Sequence, residues 1–490
     1  MYQNYEEALA AYIQQIESLT RTVRELQEML AAKDKLIAAQ AATIQKLTEQ
    51  LNQNSSNSSK PPSSDGYKKP RPVSNREKSG KKPGAQTGHK GHGLKMIQAD
   101  VVEDVHHIPE RCQSCVYRGT CPKVETSPVR NEIDAEIKLF LRRHTQESYA
   151  CRLENGAIVS GKFPDGINSS MQYGPGVKAL CASLNTEGMM SVQRTHDFLS
   201  AVLGLPICTG TISAMVQELA EQVSEPRQTI FQHLMGQAVN NCDETGLRVA
   251  GKLYWLHTIC NSSFTYLSVQ EKRGEEGMRA VGFLPEYTGI VVSDCLGAYW
   301  KFPQLSHALC NAHLLRELKG ICENHLVGQT WAVSLRSLLQ EMDHCRNEAI
   351  QAGATSLPPE TVEAFRQRYD QLLKQAELSN PIPPREPGQR GKTPKGKIRS
   401  LIDRMVKHRA EVLLFLDDFQ VPFTNNLAEQ SLRMTKVKGK VSGCMRTVSG
   451  AENFAAIMSF IGSVKKHGIN VFSAVKEAFL GNAYGVLFPA

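Results

Sequence analysis

The chain has 490 residues, 41% of them hydrophobic, enough for about three or four folded domains and too apolar for a disordered polymer. No apolar run approaches the roughly 18 residues of a membrane span, and the charged, amphipathic start lacks the apolar block of a signal peptide. A cytoplasmic protein is expected, in which the thirteen cysteines are reduced thiols or metal ligands. The formal charge of +8 is concentrated: between Lys60 and Lys95 ten Lys/Arg face two acids, and the rest of the chain is near balance. Such a tract points to a polyanion such as nucleic acid, or to a solubilising linker.

Residues 1–52 carry a heptad pattern. Leu9, Ile16, Val23, Leu30, Ile37, Ile44 and Leu51 recur every seven residues, with Leu19, Leu26 and Leu47 in the second seam position and Lys33 and Gln40 interrupting it. β-Branched residues at one seam and Leu at the other favour a parallel two-stranded coiled coil, so the chain is expected to be at least a homodimer. Residues 53–96 are a Ser/Asn/Pro/Gly-rich basic linker, expected to be disordered, whose cations, Lys81 and Lys82 among them, suit DNA phosphates. In 97–165, Cys112-x2-Cys115-x5-Cys121 with Cys151 further on reads as a small structural zinc module, or else as free thiols in a small β-rich segment. It is weaker than two C-x2-C pairs, because Glu154 stands where a second pair would close. Residues 166–235 read as helical, with a break at "LGLP" that suggests a helix-turn-helix.

From residue 236 the period becomes strand-like. "QAVNNCDETGLRVA", "KLYWLHTIC" and "FTYLSVQ" are strands separated by turns, followed by a helix and then by "GIVVSDCLGAY" and "HALCNAHLLREL". The order βββαβαβ over 236–324 predicts an α/β core. A helical insertion over 325–410 carries a basic loop, the core resumes over 411–470, and 471–490 reads as a C-terminal tail.

Three acids stand out. Asp243 lies within the first core strand, Asp294 ends the fourth, and Glu429 opens a late helix. Gathered at one sheet edge they would repel one another and need cations. Hard oxygen ligands select Mg²⁺ or Mn²⁺, and two such ions serve phosphodiester chemistry. Each acid also has a plain structural role open to it. Glu244 competes with Asp243, Asp294 could cap a helix, and Glu429 would sit in a capping box if Asn426 were the N-cap. Arg433, Lys436 and Lys440 share the helical face of Glu429, beside an apolar stripe of Leu427, Met434, Val437 and Val441. With Lys438 and Arg446 these cations are candidate DNA contacts.

Taken in order, "NSSNSSKPPSSDG", "KPGAQTGHKGH", the cysteine knuckle, "DETGLRV", "SDCLGAY", "CNAHLLREL" and "NNLAEQSLRMTKVKGKVSGCMRT" make the chain resemble the insertion-sequence-66 family of transposases (TnpC type). The resemblance implies a DDE transposase with a ribonuclease-H-like core, in which Asp243, Asp294 and Glu429 are the metal-binding triad. It implies hydrolysis at an element end to free a 3′-hydroxyl, attack of that hydroxyl on target DNA, recognition of terminal inverted repeats, and accessory proteins from the same element. Where the family motif has Arg after the Glu, this chain has Gln430. Cys310 and His313 match a Cys-x2-His feature seen in several DDE groups and are candidate site-shaping residues, or else a buried Cys and a helix His. Competing readings are a non-catalytic zinc and helix-turn-helix regulator, or a ribonuclease-H-like nuclease that cuts without joining.

Overall fold

The computed structural model describes residues 2–55, 57–58, 105, 107, 109–118, 120–121, 130, 132–133, 137–155, 157–324, 328–382 and 395–489. Lys81 and Lys82, most of the basic linker and the loop 383–394 lie outside them. The chain divides into two compact units, one of Met1–Pro70 with His144–Ala490 and one of Arg71–Arg143. In the smaller unit, helix α2 (Glu110–Gln113) leads into turns at Cys115–Arg118 and Tyr117–Thr120.

The larger unit begins with α1 (Tyr2–Asn52). Its seam residues are exposed along the whole helix, Ile16, Val23, Leu30, Ile37 and Ile44 each by more than half. A helix with an apolar seam facing water has an unburied face. The end of α1 is held against the core. Asn57 donates to Glu323 (2.9 Å), and its carbonyl lies so near Gly320 that a Cβ there would be 2.2 Å away, so only glycine fits.

A hairpin of β1 (Ser148–Cys151) and β2 (Ala157–Ser160) is followed by four helices, α3 (Pro175–Thr186), α4 (Val192–Leu203), α5 (Thr209–Gln222) and α6 (Ser224–Met235). Ser191 caps α4 by accepting from the Arg194 amide, and Gly204 ends it at φ 62°, the left-handed conformation a helix stop favours. Cys208 occupies the N-cap position of α5.

The sheet is built from β3 (Val239–Val249), β4 (Lys252–Cys260), β5 (Thr265–Gln270), β6 (Ile290–Ser293) and β7 (Ser306–Leu309), in the order β5-β4-β3-β6-β7. The first three pair antiparallel, while β6 and β7 run parallel to β3. Helix α7 (Glu275–Val281) makes the crossover from β5 to β6. The second crossover, expected to be helical, is a single 3-10 turn at Tyr299–Lys301 in a connection of about a dozen residues, near the shortest that joins parallel strands. Five mixed strands with this helix arrangement are consistent with a ribonuclease-H-like core.

Helix α8 (Asn311–Asn324) leads into an inserted group, α9 (Thr330–Gln351), α10 (Pro359–Ser379), α11 (Gly396–Lys407) and α12 (Arg409–Asp417). These helices have their own core around Trp331, Leu335, Phe365, Tyr369, Met405 and Phe415, continuous with Val292 and Leu309 of the sheet. After them come α13 (Asn426–Ser442), α14 (Val448–Lys466), α15 (Val471–Phe479) and α16 (Ala483–Leu487). Residues 471–490, read from the sequence as a tail, are therefore mostly helical. Ala474, Val475, Ala478 and Leu487 enter the same core as the sheet, α5 and α6.

Helix α14 covers the β5 edge. The buried hydroxyls of Ser463 and Ser459 accept from the amides of Thr265 (3.0 Å) and Leu267 (2.9 Å), which face away from β4. Buried amides left without partners are costly, so these serines complete the edge strand.

Candidate active site

Asp243 lies at the middle of β3, paired across the ladder with Thr258, in the strand flanked by β4 and β6. Asp294 is the first residue after β6, and its Oδ1 accepts from the Leu296 amide (2.9 Å) in the turn that ends the strand. Glu429 lies in the first turn of α13, which packs on β3 and β4. Residues 51 and 135 positions apart in sequence are thus brought to one end of the sheet.

Their electrostatics confirm the proximity. Burial pushes the Asp243 carboxyl well above the usual carboxylate range, and the charges of Glu244, Asp294 and Glu429 push it further, against one amide bond from Glu244 that stabilises the anion. Burial and Asp294 likewise raise Glu244, opposed by Arg273 and Tyr299.

Which of the adjacent acids is the free one follows from their partners. Alternation along a strand sends the two side chains to opposite faces. Glu244 has both oxygens engaged, Oε1 by Arg273 (2.8 Å) and Oε2 by Tyr299 (2.9 Å). Among the described residues, Asp243 accepts from the Glu244 amide alone, on Oδ1 (2.8 Å).

Two arginines, not anticipated from the sequence, share the site. Arg273 reaches from Glu244 towards Asp294, with Nη2 4.0 Å from Oδ2. Arg316 of α8 places Nη2 3.1 Å from Oε1 of Glu429. A signal for Arg316 was present, since it falls three residues after His313 on one helical face of "CNAHLLREL". Gln430 is exposed, so the guanidinium next to Glu429 comes from α8 and not from the following residue.

The start of α13 also differs from expectation. Asn425, not Asn426, is the N-cap, and its side chain makes no capping bond to the helix. Its Nδ2 donates to the Cys242 carbonyl (2.7 Å), its Oδ1 accepts from Asn241 (2.8 Å), and its amide donates to the Cys310 sulfur (3.1 Å). Glu429 consequently stands one position beyond the reciprocal site of a capping box, and that structural role is ruled out. Instead, Asn425 clips the helix to the strand bearing Asp243.

The family comparison now has a geometry to meet. A model described as "Transposase IS66 family" matches residues 170–453, well over half the chain. The chain belongs to the IS66 family of transposases. Residues 4–95 of this transposase match a further family, one of unknown function (DUF6444). No curated protein matches it. Membership implies DNA transposition, with DNA binding and catalytic DNA cleavage and transfer. No described helix is long and apolar enough to cross a membrane.

Transposases of the DDE type use divalent metal, and the residues present fit one. A set of three carboxylates, with no ion pair to Asp243 among the described residues and with its neighbours' charges raising Asp243, is the donor chemistry of Mg²⁺ or Mn²⁺. Of the cysteines expected to hold zinc, Cys112 and Cys115 are half-buried and Cys121 exposed in the smaller unit, and Cys151 lies on β1.

The cations of α13 and of the residues just after it divide. Arg433, Lys440 and Arg446 are exposed. Lys438, expected among the DNA contacts, is 7% exposed and donates to the carbonyls of Asn185 (2.6 Å) and Met190 (2.9 Å), and burial lowers its pKa to about 8. Lys436 is half-buried and donates to the Gly246 carbonyl (2.9 Å). The helix phase explains the correction. Ala428, Leu432, Thr435 and Lys438 form the buried stripe, whereas Val441 of the expected apolar stripe is 39% exposed.

Cys310 and His313 sit at the start of α8. Cys310 is buried, which pushes its thiol up to about 11, and burial lowers the imidazole of His313, as does Arg316.

Proposed function

We propose that Asp243, Asp294 and Glu429 are the catalytic triad of this transposase, holding two Mg²⁺ ions with which it cleaves the ends of its insertion sequence and joins them to target DNA. The observation that carries this reading is the convergence of Asp243, Asp294 and Glu429, each delivered by a different element, on one end of a mixed sheet, where burial and the neighbouring charges raise Asp243. When bound, Mg²⁺ supplies the positive charge that activates an attacking oxygen and stabilises a leaving one.

The chain's own residues do the rest. Asp243 is held by its strand and by the Glu244 amide on Oδ1, which limits the freedom of its carboxylate. Arg273 orders Glu244 and steadies Asp294, and Arg316 holds Glu429 until a stronger cation arrives. Arg433, Lys440 and Arg446 present positive charge downstream of Glu429 for a phosphate backbone. The helices α4 and α5 and the basic linker would supply end recognition. The exposed seam of α1 would pair two copies, so that two element ends are held together.

Labelled element ends and a supercoiled target, incubated with the protein and Mg²⁺ together with the other proteins of the element, test the reading. Joined products should form and vanish in Asp243→Asn, Asp294→Asn and Glu429→Gln. Cleavage without joining would make the protein a nuclease. Binding of the ends with no strand breakage, unchanged in the three variants, would make it a regulator.

A further inference from the structure

The triad uses Glu429 but gives Cys310 and His313 no task. Among the described residues, Cys310, His313 and Glu429 are the one set of three potential metal ligands whose donor atoms all lie within 4.8 Å of one another. Nδ1 of His313 is 3.9 Å from Oε1 of Glu429. Zinc bonds of about 2.0–2.3 Å at tetrahedral angles space their ligands about 3.4–3.6 Å apart, so the set needs to contract by no more than about 1.4 Å.

Three further observations point to an ion. Nδ1 of His313 is buried and makes no hydrogen bond among the described residues, a costly state that coordination would relieve. The His313 amide donates to the Cys310 carbonyl (3.2 Å), closing the tight turn that lets ligands three positions apart share one metal. The Asn425 amide on the Cys310 sulfur (3.1 Å) is the kind of outer contact that orients a thiolate ligand.

We propose that Cys310 Sγ, His313 Nδ1 and the Glu429 carboxylate form a transition-metal site, selective for Zn²⁺ over Mg²⁺, that withdraws Glu429 from the two aspartates. Sulfur and imidazole donors suit Zn²⁺, whereas Mg²⁺ takes oxygen. Binding releases the Cys310 thiol proton and displaces Arg316 from Glu429. Zinc is therefore an inhibitor of this centre. That consequence rests on Glu429 being the third acid; the site itself does not.

Co²⁺ alone, titrated into the full chain without DNA, tests the site through the near-ultraviolet charge-transfer band of a cobalt–thiolate bond. The background carries Cys112→Ser, Cys115→Ser, Cys121→Ser and Cys151→Ser, which removes the other clustered thiols. One equivalent of Co²⁺ should give the band, and one equivalent of Zn²⁺ should erase it while millimolar Mg²⁺ does not. Cys310→Ser should abolish the band. His313→Ala and Glu429→Gln should each weaken Co²⁺ binding at least about tenfold, with circular dichroism showing both variants folded. Asp294→Ala, which removes a triad acid, should keep it. No band in the background protein, or a band indifferent to Cys310→Ser, overturns the proposal. Because the readout needs neither DNA nor activity, it stands or falls separately from strand transfer.

Discussion

Asn425→Ala is the sharpest probe of how the site is held. The side chain is 1% exposed and ties α13 to β3 by two bonds, accepting from Asn241 and donating to the Cys242 carbonyl. Truncation leaves the Asn241 amide, itself 2% exposed, without that acceptor, at roughly 1–3 kcal/mol for a buried unsatisfied donor. The carbonyl keeps a second lone pair and loses less, about 1 kcal/mol. The sum, about 2–4 kcal/mol, should lower the urea midpoint clearly. It should also reduce Mg²⁺-dependent strand transfer, because Glu429 lies one helical turn from the broken clip. Asn425→Asp should keep the Asn241 bond, yet it sets an oxygen against the Cys242 carbonyl and adds charge near Asp243, so activity falls with it too. The two measurements are urea unfolding followed by circular dichroism and joining of labelled ends. An Asn425→Ala protein with the native midpoint and native joining would refute the reasoning.

Asp243→Asn should abolish joining yet stabilise the metal-free protein. Its folded pKa lies above the unfolded value, so the folded state binds the extra proton and stability falls as pH rises from about 4 towards that folded pKa. Thermal melts in chelator across that range should slope downward in the native protein and less so in Asp243→Asn. Ser459→Ala should destabilise by about 1–3 kcal/mol, because the Leu267 amide loses its buried acceptor, as read from urea midpoints. Lys438 has the opposite linkage to the usual lysine gaining a partner. Its folded pKa of about 8 is below the unfolded value of roughly 10.4, so stability should rise with pH between them, and Lys438→Met should remove that rise. Leu26→Asp in the α1 seam should convert a dimer to a monomer in analytical ultracentrifugation.

The parts of the site that could be read from the sequence were those written in local pattern. Asp294 follows a short β-branched run, Asp243 interrupts one, and Glu429 opens an amphipathic stretch, so each was identifiable as an acid at an element's edge or heart. What could not be read depends on partners far away in the chain. Arg273 meets Glu244 across 29 residues and Arg316 meets Glu429 across 113, and no periodicity encodes either pair. Lys438 was misassigned because a charge is ordinarily a surface residue. The phase of α13 is set by Ala428 and Leu432, and two carbonyls of the α3–α4 turn accept the ammonium it would otherwise have to leave in water. The capping box failed for a similar reason, since Asn425 answers to β3 and not to its own helix. The sheet was legible up to its second crossover, where a 3-10 turn replaced the expected helix. Helices α15 and α16, of nine and five residues, are shorter than the stretch over which a helical period is read from sequence.

The two serines on α14 have a consequence for how copies of this protein meet. An edge strand with free amides is a template on which chains can add one after another, giving open-ended growth. Here the amides of Thr265 and Leu267 already bond to Ser463 and Ser459, so those two rungs of the border are closed to an incoming strand. Under the pairing proposed above, copies meet through the exposed α1 seam, whose partners are counted by its geometry. A closed, countable assembly is what a protein needs when it must bring together two DNA ends and no more.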